Sequence, residues 1–479
     1  MPLPNFLGRT HELALLNRLT DKQAASLVVV SGRRRIGKSR LIQEFGKQFA
    51  FYSFTGLPPI SSKNAEQQRA YFAKQLAQQC AMPLPPSEDW ADLFWFLAYH
   101  LKKARVVVLL DELSWMAQGD PLFLGKLKTA WDDHFKQNPK LILVLCSSVS
   151  LWMEKNILSD KGFMGRRSLH LYLNELPLED CSQFWGGQAS SVSAFEKLKF
   201  LAVSGGVPRY LEELKPYLSA EENIKQLCFE KSGILFREFD DIFSDLFMHN
   251  TDKYQTIIWS LAEGSQTYTD LCKVLKTTPN RVISLYLEEL EKAGFISRDY
   301  GWHFKTGSTS KLSQFRLSDN YMRFYCKYIY PNKRRIENDE FVDASISTVI
   351  SWETIMGLQF ENLVLNNRRA IKRILGIQPG ETIAEGSYFQ KQTTKHAGCQ
   401  IDYLIQTKFN QLYLCEVKFS KSPIGLSVVE ACRQKTKKLQ IPQGFSYRSV
   451  LIHVNGVEDR VITEGYFAKI INFSELLTR

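Results

Sequence analysis

The stretch of residues 27–42, LVVVSGRRRIGKSRLI, decides the fold of the first part of this 479-residue chain. Its apolar, β-branched run predicts a buried strand, and the pattern after Gly37 predicts a helix. Between them stands G-x-x-x-x-G-K-S, the pattern of a phosphate-binding loop (P-loop) in its required strand–loop–helix context. The backbone N–H groups of such a loop and the positive end of its helix face a polyphosphate. The stretch therefore predicts a nucleoside triphosphate site.

The side chains of this loop are suited to hold a triphosphate. Lys38 is placed to reach the β- and γ-phosphates, and the Ser39 hydroxyl to ligate a bridging Mg²⁺ ion. We therefore expect Mg²⁺ as a cofactor and Lys38 as a catalytic residue. The candidate nucleotide contacts are all residues of the loop: Gly32, Arg33, Arg34, Arg35, Ile36, Gly37, Lys38, Ser39 and Arg40.

The composition limits the class of protein. The length of 479 residues predicts about three domains. Hydrophobic residues make up 44% of the chain, as in a globular protein, and the formal net charge is +11. The nine cysteines include no C-x-x-C pair, so we expect a reduced, cytoplasmic setting without a zinc site. Apolar runs are too short to span a bilayer, so no membrane association is expected. The positive charge is a weak indication of nucleic acid.

A second apolar run, residues 105–112 (RVVVLLDE), predicts a strand buried on both faces of a parallel sheet. Asp111 and Glu112 stand at its carboxyl end, where ligands bind in open α/β sheets. This is the Walker B pattern, in which we expect Asp111 to hold Mg²⁺ and Glu112 to orient and deprotonate the attacking water. Together with the P-loop, it predicts hydrolysis as well as binding.

Two further features extend the predicted nucleotide site. Residues 141–148 (LILVLCSS) repeat the buried-strand pattern, and we expect their polar tip, with Ser148, to contact the γ-phosphate or the water; the alternative is an ordinary strand end. Arg166 precedes a short strand and is a candidate for acting in trans on a neighbour's nucleotide. That role would imply a homo-oligomer, and the alternative is a solvated loop arginine.

Two stretches add a family resemblance: residues 6–13 (FLGRTHEL) and residues 203–211 (VSGGVPRYL). Together with GRRRIGKS and LLDE, they resemble the archaeal-type ATPases. These are STAND/AAA-like P-loop proteins with a winged helix and a C-terminal nuclease-like domain. The resemblance covers nearly the whole chain and implies that the nucleotide is ATP. It also implies that the F-x-G-R stretch lies near the adenine and that Pro208 and Tyr210 contact the base.

Residues from about 252 to 330 predict a winged helix-turn-helix, because three short helical patterns precede a hairpin. Such modules place the third helix in the major groove of DNA, where Asn280, Arg281 and Ser284 would face outward. The same helix carries glutamates at positions 288, 289 and 291, which would repel phosphate. A protein contact therefore stays open as the alternative.

Near the C-terminus, residues 400–418 predict two strands joined by a polar turn. Asp402 lies on the first strand, and Glu416 and Lys418 share one face of the second because side chains alternate along a strand. This acid–x13–acid–x–lysine pattern is typical of PD-(D/E)XK phosphodiesterases. There, Asp402 and Glu416 would hold a divalent metal and Lys418 would position or deprotonate the hydrolytic water. The alternative is a hairpin with solvated charges.

Neighbouring residues support the same interpretation. Glu361, on an upstream helical stretch, matches a metal-binding acid of the PD-(D/E)XK fold, and Gln434 matches a residue often found in its following helix. Between positions 391 and 450, ten lysines and arginines stand against three acids. Such an excess of positive charge is typical of a segment that binds a polyanion.

The sequence thus predicts an α/β protein: a P-loop ATPase core with a parallel sheet (1–175), a helical lid (176–250), a winged helix (251–335) and a PD-(D/E)XK nuclease-like α/β domain (336–479). We expect ATP and Mg²⁺ as cofactors and DNA as the partner, with the nucleotide state controlling the C-terminal half. Two alternatives stay open. One is a regulatory ATPase with a catalytically inactive C-terminal domain, and the other is a transcription regulator in which the winged helix does the work.

Overall fold

A computed structural model describes residues 6–58, 65–101, 105–148, 150–246, 251–394 and 397–477. The chain forms two compact units, residues 1–174 and 175–479. The predicted lid, winged helix and C-terminal domain all lie within the second unit. Within the described ranges, no helix is both long and apolar enough to cross a membrane.

The first unit is a five-stranded parallel sheet with helices on both faces. Its strands are β1 Ser26–Gly32, β2 Ala50–Thr55, β3 Val106–Asp111, β4 Leu141–Cys146 and β5 Arg167–Leu173, in the spatial order β2-β3-β4-β1-β5. Its helices are α1 Thr10–Asn17, α2 Lys38–Gly46, α3 Ala65–Cys80, α4 Trp90–His100, α5 Leu113–Met116, α6 Phe123–Asp133 and α7 Ser150–Met153. Short 3-10 or π segments are Arg18–Asp21, Phe135–Gln137 and Glu154–Leu158.

The continuous apolar runs of the central strands are explained by two separate cores. Val29 and Leu110 face one core with helices α3, α4 and α6. Val28 and Leu109 face the other with α1 and α2. A strand buried on both faces cannot alternate apolar with polar residues, which is why these runs are unbroken. The predicted α/β class and parallel sheet are therefore confirmed.

The second unit begins with helices and contains two sheets. Its helices are α8 Leu178–Cys181, α9 Ala194–Ser204, α10 Pro208–Leu211, α11 Ala220–Cys228, α12 Ile234–Leu246, α13 Thr251–Ala262, α14 Tyr268–Val274, α15 Arg281–Lys292, α16 Asn320–Phe324, α17 Lys333–Glu337, α18 Trp352–Asn366, α19 Arg368–Ile374, α20 Ser427–Lys438 and α21 Asp459–Thr463. Short 3-10 or π segments are Ser182–Gln188, Tyr325–Ile329, Tyr330–Asn332, Ile346–Thr348 and Phe473–Leu477.

The smaller sheet of the second unit is three-stranded and antiparallel. Its strands are β6 Gln266–Thr267, β7 Ile296–Trp302 and β8 Thr309–Leu317, in the order β6-β8-β7. Together with helices α13, α14 and α15, they follow one another along the chain in the order α13, β6, α14, α15, β7, β8. The third of these helices begins at Arg281, because Asn280 is extended and its side chain accepts a hydrogen bond from the Ile283 N–H.

The larger sheet is mixed and has the order β13-β12-β11-β10-β9. Its strands are β9 Thr382–Gln390, β10 Cys399–Thr407, β11 Gln411–Lys418, β12 Ser446–His453 and β13 Lys469–Asn472. The first three pair in antiparallel fashion and the last two are added in parallel. Helix α18 precedes this sheet along the chain and α20 connects β11 to β12.

The β7–β8 hairpin packs against the larger sheet and is not free in solvent. Trp302 at the end of β7 donates a hydrogen bond to Gln406 Oε1 at 2.8 Å. The Gln406 amide in turn donates to the Phe304 carbonyl at 2.7 Å, and the rings of Phe304 and Tyr388 stack 5.1 Å apart. The two sheets therefore share one small apolar core.

A buried polar network also joins α18 to the segment after β8. Arg323 donates to Gln359 Oε1 at 2.8 Å, and the Gln359 amide donates to the Asn320 carbonyl at 2.7 Å. One helical turn along, the Asn362 amide donates to Asn320 Oδ1 at 3.0 Å and also accepts from Arg316. Buried polar groups need such partners, so these bonds fix the orientation of α18.

Candidate functional site

The P-loop occupies the turn between β1 and α2. Gly32 has φ +142°, and a Cβ there would lie 2.5 Å from the Leu173 carbonyl oxygen, so only glycine fits. Gly37, with φ +86°, precedes the first residue of α2. The Lys38 ammonium is buried and donates to the carbonyls of Gly32 (3.1 Å) and Arg33 (2.9 Å). The loop thus closes around its own lysine.

Arg9 fastens this loop to the rest of the first unit. Its buried guanidinium donates to the Ile36 carbonyl at 3.1 Å and to the Asn174 carbonyl at 2.6 Å, and it pairs with Glu12 at 3.1 Å. The family resemblance had placed the F-x-G-R stretch near the adenine. The structure shows that its arginine is bonded to the P-loop at Ile36, a contact that sequence reasoning missed, and the expected proximity of this stretch to the adenine stays a prediction.

The two predicted Mg²⁺-binding residues of the first unit are adjacent. The Ser39 hydroxyl donates to Asp111 Oδ2 at 2.5 Å, and Asp111 Oδ1 accepts from the Glu112 N–H at 3.0 Å. They meet because the P-loop and the end of β3 lie at the same edge of the parallel sheet. A hydroxyl and a carboxylate are hard oxygen donors, so this pair fits Mg²⁺ chemically.

Glu112 is held by Ser148. Its Oε2 accepts hydrogen bonds from the Ser148 backbone N–H at 3.1 Å and hydroxyl at 2.8 Å. Glu112 itself has left-handed backbone angles, φ +50° and ψ +48°, which are uncommon for a residue with a side chain. Burial raises the pKa of Glu112, the Ser148 bonds oppose this rise and the neighbouring Asp111 adds to it. The two residues had been predicted separately, and the structure joins them.

Arg166 is bound within its own subunit. Its guanidinium contacts Asp132 through Nε (3.0 Å) and Nη2 (2.8 Å), while Nη1 donates to the Gly162 carbonyl at 2.7 Å. The carboxylate partner raises the pKa of Arg166. These bonds engage Arg166 within the first unit, and its role in trans on a neighbour's nucleotide stays a prediction.

The two predicted base contacts lie on α10 of the second unit. Pro208 is its first residue, a position where proline costs no hydrogen bond. Tyr210 is completely buried: its hydroxyl donates to Glu238 at 2.7 Å and its ring packs on Tyr321. A ring with 0% exposure offers no face to a base, so the expectation for Tyr210 is corrected to a core role.

A second cluster of charged side chains lies at one end of β10 and β11. In this hairpin Tyr403 pairs with Cys415, so the preceding Asp402 and the following Glu416 reach the same end. Asp402 Oδ2 accepts from the Val417 N–H at 2.9 Å, and Lys418 Nζ lies 3.0 Å from Glu416 Oε1. Burial, followed by the Glu416 carboxylate, raises the pKa of Asp402. The acid–x13–acid–x–lysine spacing therefore agrees with the register of the hairpin, which places the two acids and the lysine at the same end.

Lys435 on α20 completes the cluster and was not predicted as part of it. Its Nζ lies 2.6 Å from Glu416 Oε2 and 3.6 Å from Asp402 Oδ1. Gln434, the residue expected there, is exposed and donates to Glu430 at 2.6 Å. Helical periodicity carries the missing signal, because Lys435 continues the buried face formed by Val428 and Cys432.

Glu361 on α18 is the third predicted metal ligand of this region. Burial and the nearby Asp402 carboxylate raise its pKa to about 7. Yet across the described ranges, no three His, Cys, Asp or Glu side chains lie close enough together to hold a metal ion. Glu361, Asp402 and Glu416 do not form such a group of three, and Lys435 lies beside two of them, Asp402 and Glu416. Their role as metal ligands stays a prediction.

Comparison with known proteins assigns a class to the N-terminal part of the chain, which includes the first unit and the start of the second. Residues 6–214 match a family described as an ATPase domain predominantly from Archaea. The chain is also 24% identical over 365 residues to the uncharacterized protein MJECL04 of Methanocaldococcus jannaschii, covering 75% of this chain and 76% of that protein. The matched residues therefore carry an ATPase domain, as the resemblance implied, and ATP binding follows from it.

Several solved structures are similar to this chain. One is the Walker-type ATPase PABY2304 of Pyrococcus abyssi, which is 16% identical with a TM-score of 0.48. The match covers 67% of this chain and 96% of that protein. Another is the Aeropyrum pernix ORC2 protein in its ADPNP–ADP complexes, at 14% identity and a TM-score of 0.43, covering 70% and 96%. A third is a STAND protein with a tetratricopeptide repeat sensor from Pyrococcus horikoshii, at 13% identity and a TM-score of 0.31, covering 78% and 50%.

Proposed function

We propose that this chain is a Mg²⁺-dependent ATPase whose nucleotide state controls a C-terminal half that acts on DNA. The observation that carries the ATPase part is the contact of Ser39 with Asp111 beside the P-loop, at 2.5 Å. The chemistry that a bound Mg²⁺ ion would supply is neutralisation of the negative charge of the phosphates. Ser39 and Asp111 would hold it, and the Lys38 ammonium would exchange its two carbonyl partners for phosphate oxygens.

Glu112 is the proposed general base. It follows β3 at the carboxyl edge of the sheet, and burial raises the pKa of its carboxylate, which makes it a stronger base than an ordinary glutamate. Ser148 orients one carboxylate oxygen by two hydrogen bonds and leaves the other to act on water. Positioning a base in this way contributes to catalysis because proton transfer needs hydrogen-bond geometry.

The C-terminal sheet supports a PD-(D/E)XK-like assignment for the second unit. The order of α18, the β9–β10–β11 meander, α20 and β12 is the one expected for that fold. Asp402 and Glu416 are oxygen donors gathered around a cation, which fits a divalent metal chemically. In this proposal they would hold the metal, and Lys418 would orient the hydrolytic water.

The order of α13, β6, α14, α15 and the β7–β8 hairpin supports a winged helix that contacts DNA. The three glutamates that argued against phosphate are each engaged. Lys292 pairs with Glu288 at 2.8 Å, the Tyr254 hydroxyl donates to Glu289, and Glu291 is partly buried. Arg281 and Ser284 at the start of α15 are exposed. The DNA-facing end of the helix is therefore the more positive one.

One observation favours a second candidate function, a regulatory ATPase whose C-terminal domain binds without cutting. The carboxylates of Asp402 and Glu416 are compensated by Lys435, and within the part of the chain that the structure describes no group of three His, Cys, Asp or Glu side chains could hold a metal ion. In such a protein the cluster would be a structural ion network.

Hydrolysis of ATP by the full chain tests the proposal for the first unit. Lys38→Ala should lose both binding and hydrolysis, whereas Glu112→Gln should keep ATP binding and lose turnover, because only the base is removed. Equal turnover by Glu112→Gln and the unchanged protein would exclude Glu112 as the base. Cleavage of DNA that is lost in Asp402→Ala would support the DNA-acting proposal. Absence of such cleavage would support the regulatory alternative.

A further inference from the structure

Lys435 stands where a metal-binding site would hold its cation. Its ammonium lies 2.6 Å from Glu416 Oε2 and 3.6 Å from Asp402 Oδ1, so it bridges the two acids. Lys418 lies on the other side of Glu416, 3.0 Å from Oε1. Lys435 therefore contacts both acids, whereas Lys418 contacts only Glu416 of the two. Lys435 belongs to α20 and not to the hairpin that carries the acids.

The surroundings explain why a positive charge is needed at this point. The side chains of Asp402 and Glu416 are only 10% and 5% exposed. Two buried carboxylates that share a site repel one another and lose hydration, so the fold must supply a compensating cation. Either an ammonium group or a divalent metal ion can meet that requirement, but the two cannot occupy the same space.

Lys435 also has a path out of the cluster. Its side chain is 32% exposed, and its flexible four-carbon stem allows the ammonium to turn toward solvent. Lys437 and Lys438 follow in the last turn of the same helix and are exposed. A phosphate chain lying along this turn would attract the Lys435 ammonium away from the acids.

We propose that Lys435 is a built-in competitor for the divalent cation at Asp402 and Glu416, and that a bound polyanion opens the site to metal by drawing its ammonium away. The inference rests on the proposed metal site of the second unit. Because coupling between two ligands is reciprocal, metal and DNA would each strengthen the binding of the other. Metal-free carboxylates would then be masked until DNA arrives.

Calorimetric titration of the nucleotide-free full chain with Ca²⁺, a probe that replaces the catalytic metal, tests this proposal. Lys435→Met should bind Ca²⁺ more tightly, on the order of tenfold, because it removes the competing charge. Lys437→Met changes the same charge on the same helix without touching the acids, and without DNA it should match the Ca²⁺ affinity of the unchanged protein. Adding a duplex oligonucleotide should strengthen Ca²⁺ binding to the unchanged protein but not to Lys435→Met.

The outcomes separate this inference from the function on which it rests. Asp402→Asn measures Ca²⁺ binding elsewhere in the chain. The part of the calorimetric signal that this variant loses is Ca²⁺ binding at Asp402 and Glu416. If an Asp402-dependent signal exists and Lys435→Met leaves it unchanged or weaker, the competition is overturned. If no variant shows an Asp402-dependent signal, the proposed metal site fails as well. Should Lys435→Met fold poorly, Lys435→Gln keeps a polar group there and carries the same expectation, and thermal unfolding with and without Ca²⁺ gives a second readout.

Discussion

The Glu112 carboxylate accepts both hydrogen bonds that Ser148 offers, from its backbone N–H at 3.1 Å and from its hydroxyl at 2.8 Å. The two residues stand at the ends of neighbouring strands β3 and β4, so the parallel sheet itself sets the distance between them. Glu112 also adopts a left-handed backbone conformation that its surroundings must maintain. The proposed base is therefore oriented from two sides, by its backbone and by Ser148.

Replacing Ser148 by alanine tests this orientation. Ser148→Ala removes the hydroxyl bond, and we expect kcat for ATP hydrolysis to fall about tenfold, the effect of losing one hydrogen bond to a charged group. KM should change little, since the partner is Glu112. Ser147→Ala, whose hydroxyl contacts Ser114 at 2.8 Å, is the matched control. A rise in KM at constant kcat would instead indicate that Ser148 contacts the phosphate.

Arg9 gives a prediction about the stability of the P-loop. Arg9→Ala leaves the Ile36 and Asn174 carbonyls without their guanidinium donor. We expect the free energy of unfolding of the first unit to fall by about 2 kcal/mol, and ATP affinity to fall with it. Thermal unfolding with and without ATP measures both. Arg18→Ala removes an exposed arginine that directly follows α1 in the same unit. An equal loss of stability and ATP affinity in that variant would refute the role of Arg9.

The contact between the hairpin and the larger sheet predicts a cost for truncating Trp302. This side chain is buried against Tyr388 and donates to Gln406. Trp302→Ala should destabilise the second unit by about 3 kcal/mol or more, because a large buried ring is lost. Phe409→Ala, at a position with 75% exposure, should change the melting temperature little. Similar melting temperatures for both variants would show that the hairpin is not held by this core.

Arg281 gives a prediction for DNA binding. Arg281→Ala should weaken binding of duplex DNA several-fold and reduce the slope of log affinity against log salt by about one, as expected for one lost phosphate contact. Electrophoretic or anisotropy titrations at several salt concentrations measure both quantities. The exposed Arg18→Ala variant serves as the charge-matched control. An unchanged salt slope for Arg281→Ala would remove α15 from the DNA-binding surface.

Local patterns were enough to predict the parallel sheet and the adjacency of Ser39 and Asp111. Both follow from apolar runs that end in polar residues at one edge of a sheet. The contacts of Arg9 and Tyr210 could not be predicted from local patterns. Each depends on partners far along the chain, such as Asn174 for Arg9 and Glu238 for Tyr210, and no local spacing encodes such contacts.

In the C-terminal cluster, too, local spacing predicts some contacts and not others. The hairpin register explains why Asp402 and Glu416 meet, and the sequence spacing carries that information. The identity of the third partner depends on which face of α20 is buried. A match to a family position indicated Gln434, whereas the buried face leads to Lys435.

Nicking of supercoiled DNA by the full chain, with Mg²⁺ and in the presence or absence of ATP, tests the central claim most directly. We predict Mg²⁺-dependent nicking that is abolished by Asp402→Ala and strongly reduced by Lys418→Ala. Its rate should differ with and without ATP in the unchanged protein but not in Lys38→Ala. Nicking that persists in Asp402→Ala, or that is indifferent to ATP in the unchanged protein, would contradict an ATPase whose nucleotide state controls a DNA-acting site.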